Sequence, residues 1–77
     1  MTWQVRLKDG TRHPISGEVH FEVVRGTKRI APSPIEGNQD ALVKAFEEHE
    51  VVLESPHGHH HKASVEMISG HWRIVGV

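Results

Sequence analysis

Cysteine is absent from all 77 residues, which excludes disulfides and every thiolate metal site. Its absence fits a reducing, cytoplasmic setting. No apolar run exceeds a few residues, so the sequence holds no candidate transmembrane helix. The opening Met1-Thr2-Trp3-Gln4-Val5-Arg6-Leu7-Lys8-Asp9 carries charge where a signal peptide needs an apolar stretch. There is no glycine-rich phosphate loop, and His49-Glu50-Val51-Val52-Leu53 lacks the second histidine of a zinc-protease helix. Without a cysteine nucleophile or a spacing that suggests a triad, the chain is not expected to be an enzyme. It also lacks internal repeats and any linker long enough to divide it, so residues 1–77 read as one domain.

What is present is the composition of an ordinary folded domain, 36% hydrophobic and 25% charged. A chain of this size buries only about 60–65% of the surface its unfolded form exposes. Net charge is −1 but unevenly placed, with +3 over residues 1–29 and −4 over residues 30–77. Such a surface can offer a basic face to phosphate or an acidic face to a basic partner.

One stretch reads as helix, Asn38 to His49. Leu42, Ala45, Phe46 and His49 recur at i, i+3, i+4 and i+7, so one stripe is expected to face a core. Asn38 can cap the first free N–H groups, and Asp40 suits the positive end of the helix dipole. Ser33-Pro34-Ile35-Glu36 is also a capping-box pattern, but a helix begun there would enclose Gly37 at a cost of about 1 kcal/mol. A separate turn at 33–36 and a helix from about 38 is the better reading.

The remainder alternates as strands do. Trp3, Val5 and Leu7 alternate with Gln4, Arg6 and Lys8, and Asp9-Gly10 is a strong hairpin turn. Thr11 to Ile15 should return, with Pro14 placing it at an edge or a strand end. Glu18 to Arg25 alternates with Val19, Phe21 and Val23 on one face, and Gly26-Thr27-Lys28 turns the chain. Beyond the helix, Val51 to Ser55, Lys62 to Ser69 and His71 to Val77 read as three strands, the last pair joined at Ser69-Gly70.

The expected fold class is therefore α+β in the order βββ-α-βββ, an antiparallel sheet (open or rolled into a barrel) packed on one helix. The expected core is Trp3, Val5, Leu7, Val19, Phe21, Val23, Leu42, Phe46, Val51, Leu53, Val65, Met67, Trp72 and Ile74. On that expectation Phe46→Ala costs about 3–5 kcal/mol.

Eight residues are histidine, and His57-Gly58-His59-His60-His61 gathers four of them at a turn. Neutral imidazole binds zinc, copper and nickel, so His57, His59, His60 and His61 are candidate metal ligands, with Glu54 or Glu66 as an oxygen donor. In an extended segment His57, His59 and His61 point one way and His60 the other. A solvated turn needs no metal to explain it, and no cofactor is required. If all eight histidines protonate, net charge goes from −1 to +7. His49 is expected to be partly buried at the end of the helix stripe, and His13, His20 and His71 to face solvent.

Arg6, Lys8, Arg12, Arg25, Lys28 and Arg29 could line one basic face, with Arg25, Lys28 and Arg29 as the candidate nucleic-acid contacts and Trp3 or Phe21 as stacking groups. Val5-Arg6-Leu7-Lys8-Asp9-Gly10-Thr11, followed by Gly17-Glu18-Val19, resembles the first hairpin of Sm-like RNA-binding proteins. That family places its helix ahead of the strands and this chain places it in the middle, so its function is not carried over. The leading expectation is a non-enzymatic protein-interaction module, a regulator or inhibitor of a partner protein. An edge strand is its expected means of contact, with a partner or in a homodimer. Transition-metal binding and weak nucleic-acid binding follow as alternatives.

Overall fold

The computed structural model describes residues 2–77 and shows why the two halves of the sequence need one another. β1 (Trp3–Arg6) turns at Asp9-Gly10 into β2 (Arg12–Ser16). Asp9 Oδ1 accepts from both the N–H and the hydroxyl of Thr11, which holds that turn. Its Oδ2 takes Lys44 Nζ at 2.6 Å and ties the turn to the helix. A ribbon of β3 (Phe21–Val24) and β4 (Thr27–Ile30) follows, then β5 (Ser33–Pro34), β6 (Glu36–Gly37) and α1 (Gln39–Glu48). β7 (Val51–Glu54), β8 (His60–Ile68) and β9 (His71–Gly76) complete the chain. All pairings are antiparallel, and the main sheet runs β5-β9-β8-β7-β1-β2-β6.

The α+β class and the strands–helix–strands order follow the expectation, and the sheet is curled. Its terminal strands, β5 and β6, are separated in the chain only by Ile35, so the two ends of the sheet are drawn together. Ile35 is buried, and its N–H donates to the Trp72 carbonyl at 3.1 Å. Pro14 sits where β2 is an edge, because β6 pairs only with Ile15 and Ser16. A residue with no N–H is tolerated there.

Gly17 makes the curl possible. Its φ is 126°, and a Cβ built on it would lie 2.5 Å from the Pro34 carbonyl oxygen. Gly17→Ala is therefore expected to destabilise the fold by more than about 1 kcal/mol. In a domain this small that lowers the melting midpoint by at least about 4–8 °C. A calorimetric scan with an unchanged midpoint would contradict this close approach.

Four expectations are corrected. The segment Gly26-Thr27-Lys28 is not a turn: the loop is Arg25-Gly26, both with positive φ (53° and 78°), and Thr27 and Lys28 begin β4. Strand β3 leaves the first hairpin and pairs only with β4, so there is no three-stranded N-terminal meander. Residues 33–36 are extended, not turned, because each short strand finds a partner in β9 or β2. His60 and His61 belong to β8, so only His57 and His59 lie in the connection between β7 and β8, residues 55–59.

The core is Val5, Leu7, Ile15, Ile30, Ile35, Leu42, Ala45, Val51, Leu53, Ala63, Val65 and Ile74, with Trp3, Val19, Phe21 and Trp72 packed half-buried against it. Asn38 caps the helix as expected, accepting the Ala41 N–H at 3.0 Å. The buried helix face is Ala41, Leu42 and Ala45 rather than a stripe through Phe46 and His49. Small side chains at the contact let the helix lie close against the sheet, and a phenyl ring does not fit beneath it. Phe46 is consequently 46% exposed and meets Trp72 edge-on at the rim, with ring centroids 6.3 Å apart. His49 is exposed with φ 68°, ending the helix through its backbone N–H. Val23 and Met67 also lie outside the core. Val23 projects on a ribbon that extends past the sheet, and Met67 stands at the last turn of β8.

Candidate functional site

Side-chain alternation along β8 divides the histidines. Leu53 pairs with His61 and Glu54 with His60, so His61 shares the inner face with Leu53 while His60 lies outside with Glu54. The loop before β8 is held by Ser55. Its hydroxyl accepts the N–H groups of His57 (3.3 Å) and His59 (3.0 Å), its carbonyl accepts Gly58 N–H, and its own N–H donates to the His59 carbonyl. Gly58 takes the positive φ (85°) that a three-residue hairpin loop requires.

On the inner side, His57, His59 and His61 meet residues far away in sequence. The β3–β4 ribbon folds over the part of the interior lined by Trp3 and His61. Its position is fixed where Ile30 passes Gly76, so closely that a Cβ on Gly76 would lie 2.9 Å from the Ile30 nitrogen. Phe21 then sits 5.1 Å from the His61 ring and 6.1 Å from Trp3, and Trp3 is 6.5 Å from His61. Lys28 Nζ lies 4.8 Å from the centre of the Phe21 ring, within cation–π range. Trp3, Phe21, Lys28, Ser55, His57, His59 and His61 together line a hollow of about 230 Å³ with no carboxylate in its wall.

Burial lowers the His61 pKa first, and the neighbouring charges of His59, Lys28 and His60 lower it further. The folded state therefore binds fewer protons at His61 than the unfolded state does. Stability attributable to this residue is complete above the unfolded imidazole pKa, about 6.5, and is lost as pH falls from there towards the lower folded value. The melting midpoint is expected to drop on acidification from about pH 7, and His61→Gln should remove part of that slope. An equal slope in the variant would contradict it.

Outside the sheet, Glu54 gathers cations. Its Oε1 accepts from Arg12 Nε at 2.8 Å and lies 3.9 Å from Arg6 Nε, while its Oε2 meets His60 Nε2 at 3.1 Å. The Arg12 hydrogen bond, more than the other charges, holds the Glu54 carboxyl below its usual range.

The candidate metal ligands His57, His59, His60 and His61 are thus split between two faces. Among the described residues no group of three histidine, aspartate or glutamate side chains is arranged to hold an ion. Of the candidate nucleic-acid contacts, Lys28 enters the hollow, Arg29 pairs with Glu22 at 3.0 Å, and Arg25 stands at the ribbon apex. Trp3 and Phe21 do face that hollow, half-buried rather than deep in the core. His13, expected to face solvent, is half-buried because its position opposite Val5 places it on the inner side of β2.

A larger concavity of about 550 Å³ lies beside Trp72, bounded by residues 16–18, 34–36 and 70–72. Glu18, Glu36 and His71 are its titratable groups, and no ring stack or cation is presented there. The smaller hollow carries the denser chemistry. No described helix is long and apolar enough to cross a membrane. Comparison with protein-family models, with curated proteins and with solved structures gives no match to this chain.

Proposed function

We propose that this chain is a non-catalytic protein-binding module that captures an acidic segment of a partner protein in the hollow formed by Trp3, Phe21, Lys28 and the inner histidines. One observation carries the proposal: strands from both halves of the chain bring a ring cluster, an ammonium and three imidazoles together with no carboxylate in the wall. The volume, about 230 Å³, is below the usual range of small-molecule pockets, about 300–1,000 Å³, and suits a side chain. Half-buried aromatic groups with a cation at their edge are the composition of an interface anchor. A regulator or inhibitor acting in the cytoplasm belongs to the same proposal, resting on the small cysteine-free chain.

Strand addition at the ends of the main sheet is a less suitable means of capture. The ends of the main sheet, β5 and β6, are two residues long and linked through Ile35, so they offer little ladder to extend.

The test is fluorescence anisotropy of a labelled oligoglutamate peptide at low salt. Lys28→Gln with His59→Gln, both at exposed positions, should weaken binding about tenfold or more, and Glu47→Gln on the helix should leave it unchanged. Equal affinity for all three proteins would overturn the proposal. Stoichiometric zinc, nickel or copper tests the metal alternative: a rise in melting temperature abolished by alanine at His57, His59, His60 and His61 would favour it instead.

A further inference from the structure

The outer face of the sheet carries a second charged surface with a different layout. Register places Arg12, Arg6, Val52 and Lys62 in one row across β2, β1, β7 and β8. Neighbouring strands are about 4.8 Å apart, so Arg6 and Arg12 are adjacent and Lys62 stands about 10 Å beyond Arg6. Like charges directly opposite on one sheet face are destabilising. The sequence nevertheless places two arginines in opposition here. The next row, Pro14, Gln4, Glu54 and His60, supplies a single carboxylate.

That carboxylate is oversubscribed. Glu54 Oε1 is occupied by Arg12 at 2.8 Å, Arg6 is left at 3.9 Å, and Oε2 is taken by His60. Lys62, and Lys8 two residues past the end of β1, make no ion pair among the described residues. Arg6, Lys8 and Lys62 line a shallow groove of about 340 Å³, with Glu50 as its one acidic member.

We infer that this face binds the phosphodiester backbone of single-stranded nucleic acid, along the row from Arg12 through Arg6 to Lys62. Charge complementarity favours a polyanion, because the cations form a line rather than converge on one point. Curvature favours a single strand, since a flexible chain follows a convex sheet and a stiff duplex touches it over a short length. No Trp, Tyr or Phe stands in either row, and the one ring, His60, is held against Glu54 at 3.1 Å, so phosphate contacts dominate and the contact is largely independent of sequence. This surface is separate from the hollow of Trp3 and His61, which lies on the opposite side of the same strands.

The experiment is anisotropy of a labelled oligodeoxythymidine titrated with the full chain across a salt series. Three phosphate contacts predict a slope of log Kobs against log salt of about −2. Arg6→Gln, Arg12→Gln and Lys62→Gln together should bring the slope near zero and weaken low-salt binding more than tenfold, as should Lys62→Gln alone in smaller measure. Glu54→Gln should strengthen binding several-fold even as it loosens the arginines, an outcome that a purely structural ion-pair network does not give. The triple variant should still bind oligoglutamate as the unaltered protein does, so the two proposals can fail separately. Absence of salt-sensitive binding by the intact chain, loss of it on Lys28→Gln instead, or an unchanged slope in the triple variant would overturn the inference.

Discussion

Leu53→Ala is expected to cost about 2–5 kcal/mol, against about 1–2 kcal/mol for Phe46→Ala. Leu53 has no exposed surface and sits on β7, the strand through which the C-terminal meander joins the N-terminal hairpin. Truncating it leaves a cavity between Val5 and His61, its direct partners on either side. Phe46 loses only the buried half of its ring and the edge contact with Trp72. Folded domains of this size are held by about 5–15 kcal/mol at most, so Leu53→Ala threatens the fold and Phe46→Ala does not. Ile74→Val, at about 0.5–1.5 kcal/mol, gives a graded variant on the other side of the same core. Urea unfolding of the three variants checks the order. A larger loss for Phe46→Ala than for Leu53→Ala would return the phenyl ring to the interior.

The second large effect is on binding. Affinity for oligoglutamate should rise about tenfold between pH 7.5 and 5.5, as the imidazoles facing the hollow gain charge. Linkage fixes the sign. A carboxylate-bearing partner binds the protonated cluster better than the neutral one, so it must raise the imidazole pKa values by the same free energy. His61 has the most to recover, because burial and neighbouring cations depress it in the free protein. Acid thus acts in opposite directions on the two measurements, lowering the stability of the free domain while strengthening the complex. The charges around His61 that enter this balance are His59, His60 and Lys28, and His57 completes the wall. Flat affinity across that range, in a protein that remains folded, would contradict the role given to the histidines.

Much of the frame was legible from local chemistry. Asp9-Gly10 and Ser69-Gly70 turn where glycine takes positive φ, and Asn38 starts the helix where its side chain can cap it. Alternation along β8 places His60 and His61 on opposite faces, as the sequence implies. What the sequence did not show depends on pairing between distant segments. Thr27–Ile30 is polar over its first three residues, and its strand character comes from the Arg25-Gly26 loop, where an arginine takes φ of 53°. Ser33–Pro34 and Glu36–Gly37 are strands only because the sheet curls enough to bring β9 and β2 to either side of Ile35. Periodicity set the helix stripe through Phe46, but closeness of approach decided the matter, and Ala41 and Ala45 won.

The hollow was half visible for the same reason. Spacing brings the odd-numbered histidines to one face, yet nothing local ties them to Trp3, Phe21 or Lys28. That meeting requires the β1–β7–β8 order and a ribbon laid over the end of the sheet. Of the outer cationic row, Arg6 and Arg12 are legible as part of a basic N-terminal face, but Lys62 lies in the acidic half of the sequence and only strand register aligns the three.

Imidazole titration by NMR tests the central claim most directly, with and without oligoglutamate. The account predicts that His61 titrates below the ordinary imidazole range in the free protein, shows ring contacts to Trp3 and Phe21, and moves upward when the peptide is added. A His61 that titrates like a solvent-exposed imidazole, contacts neither ring and ignores the peptide would contradict it.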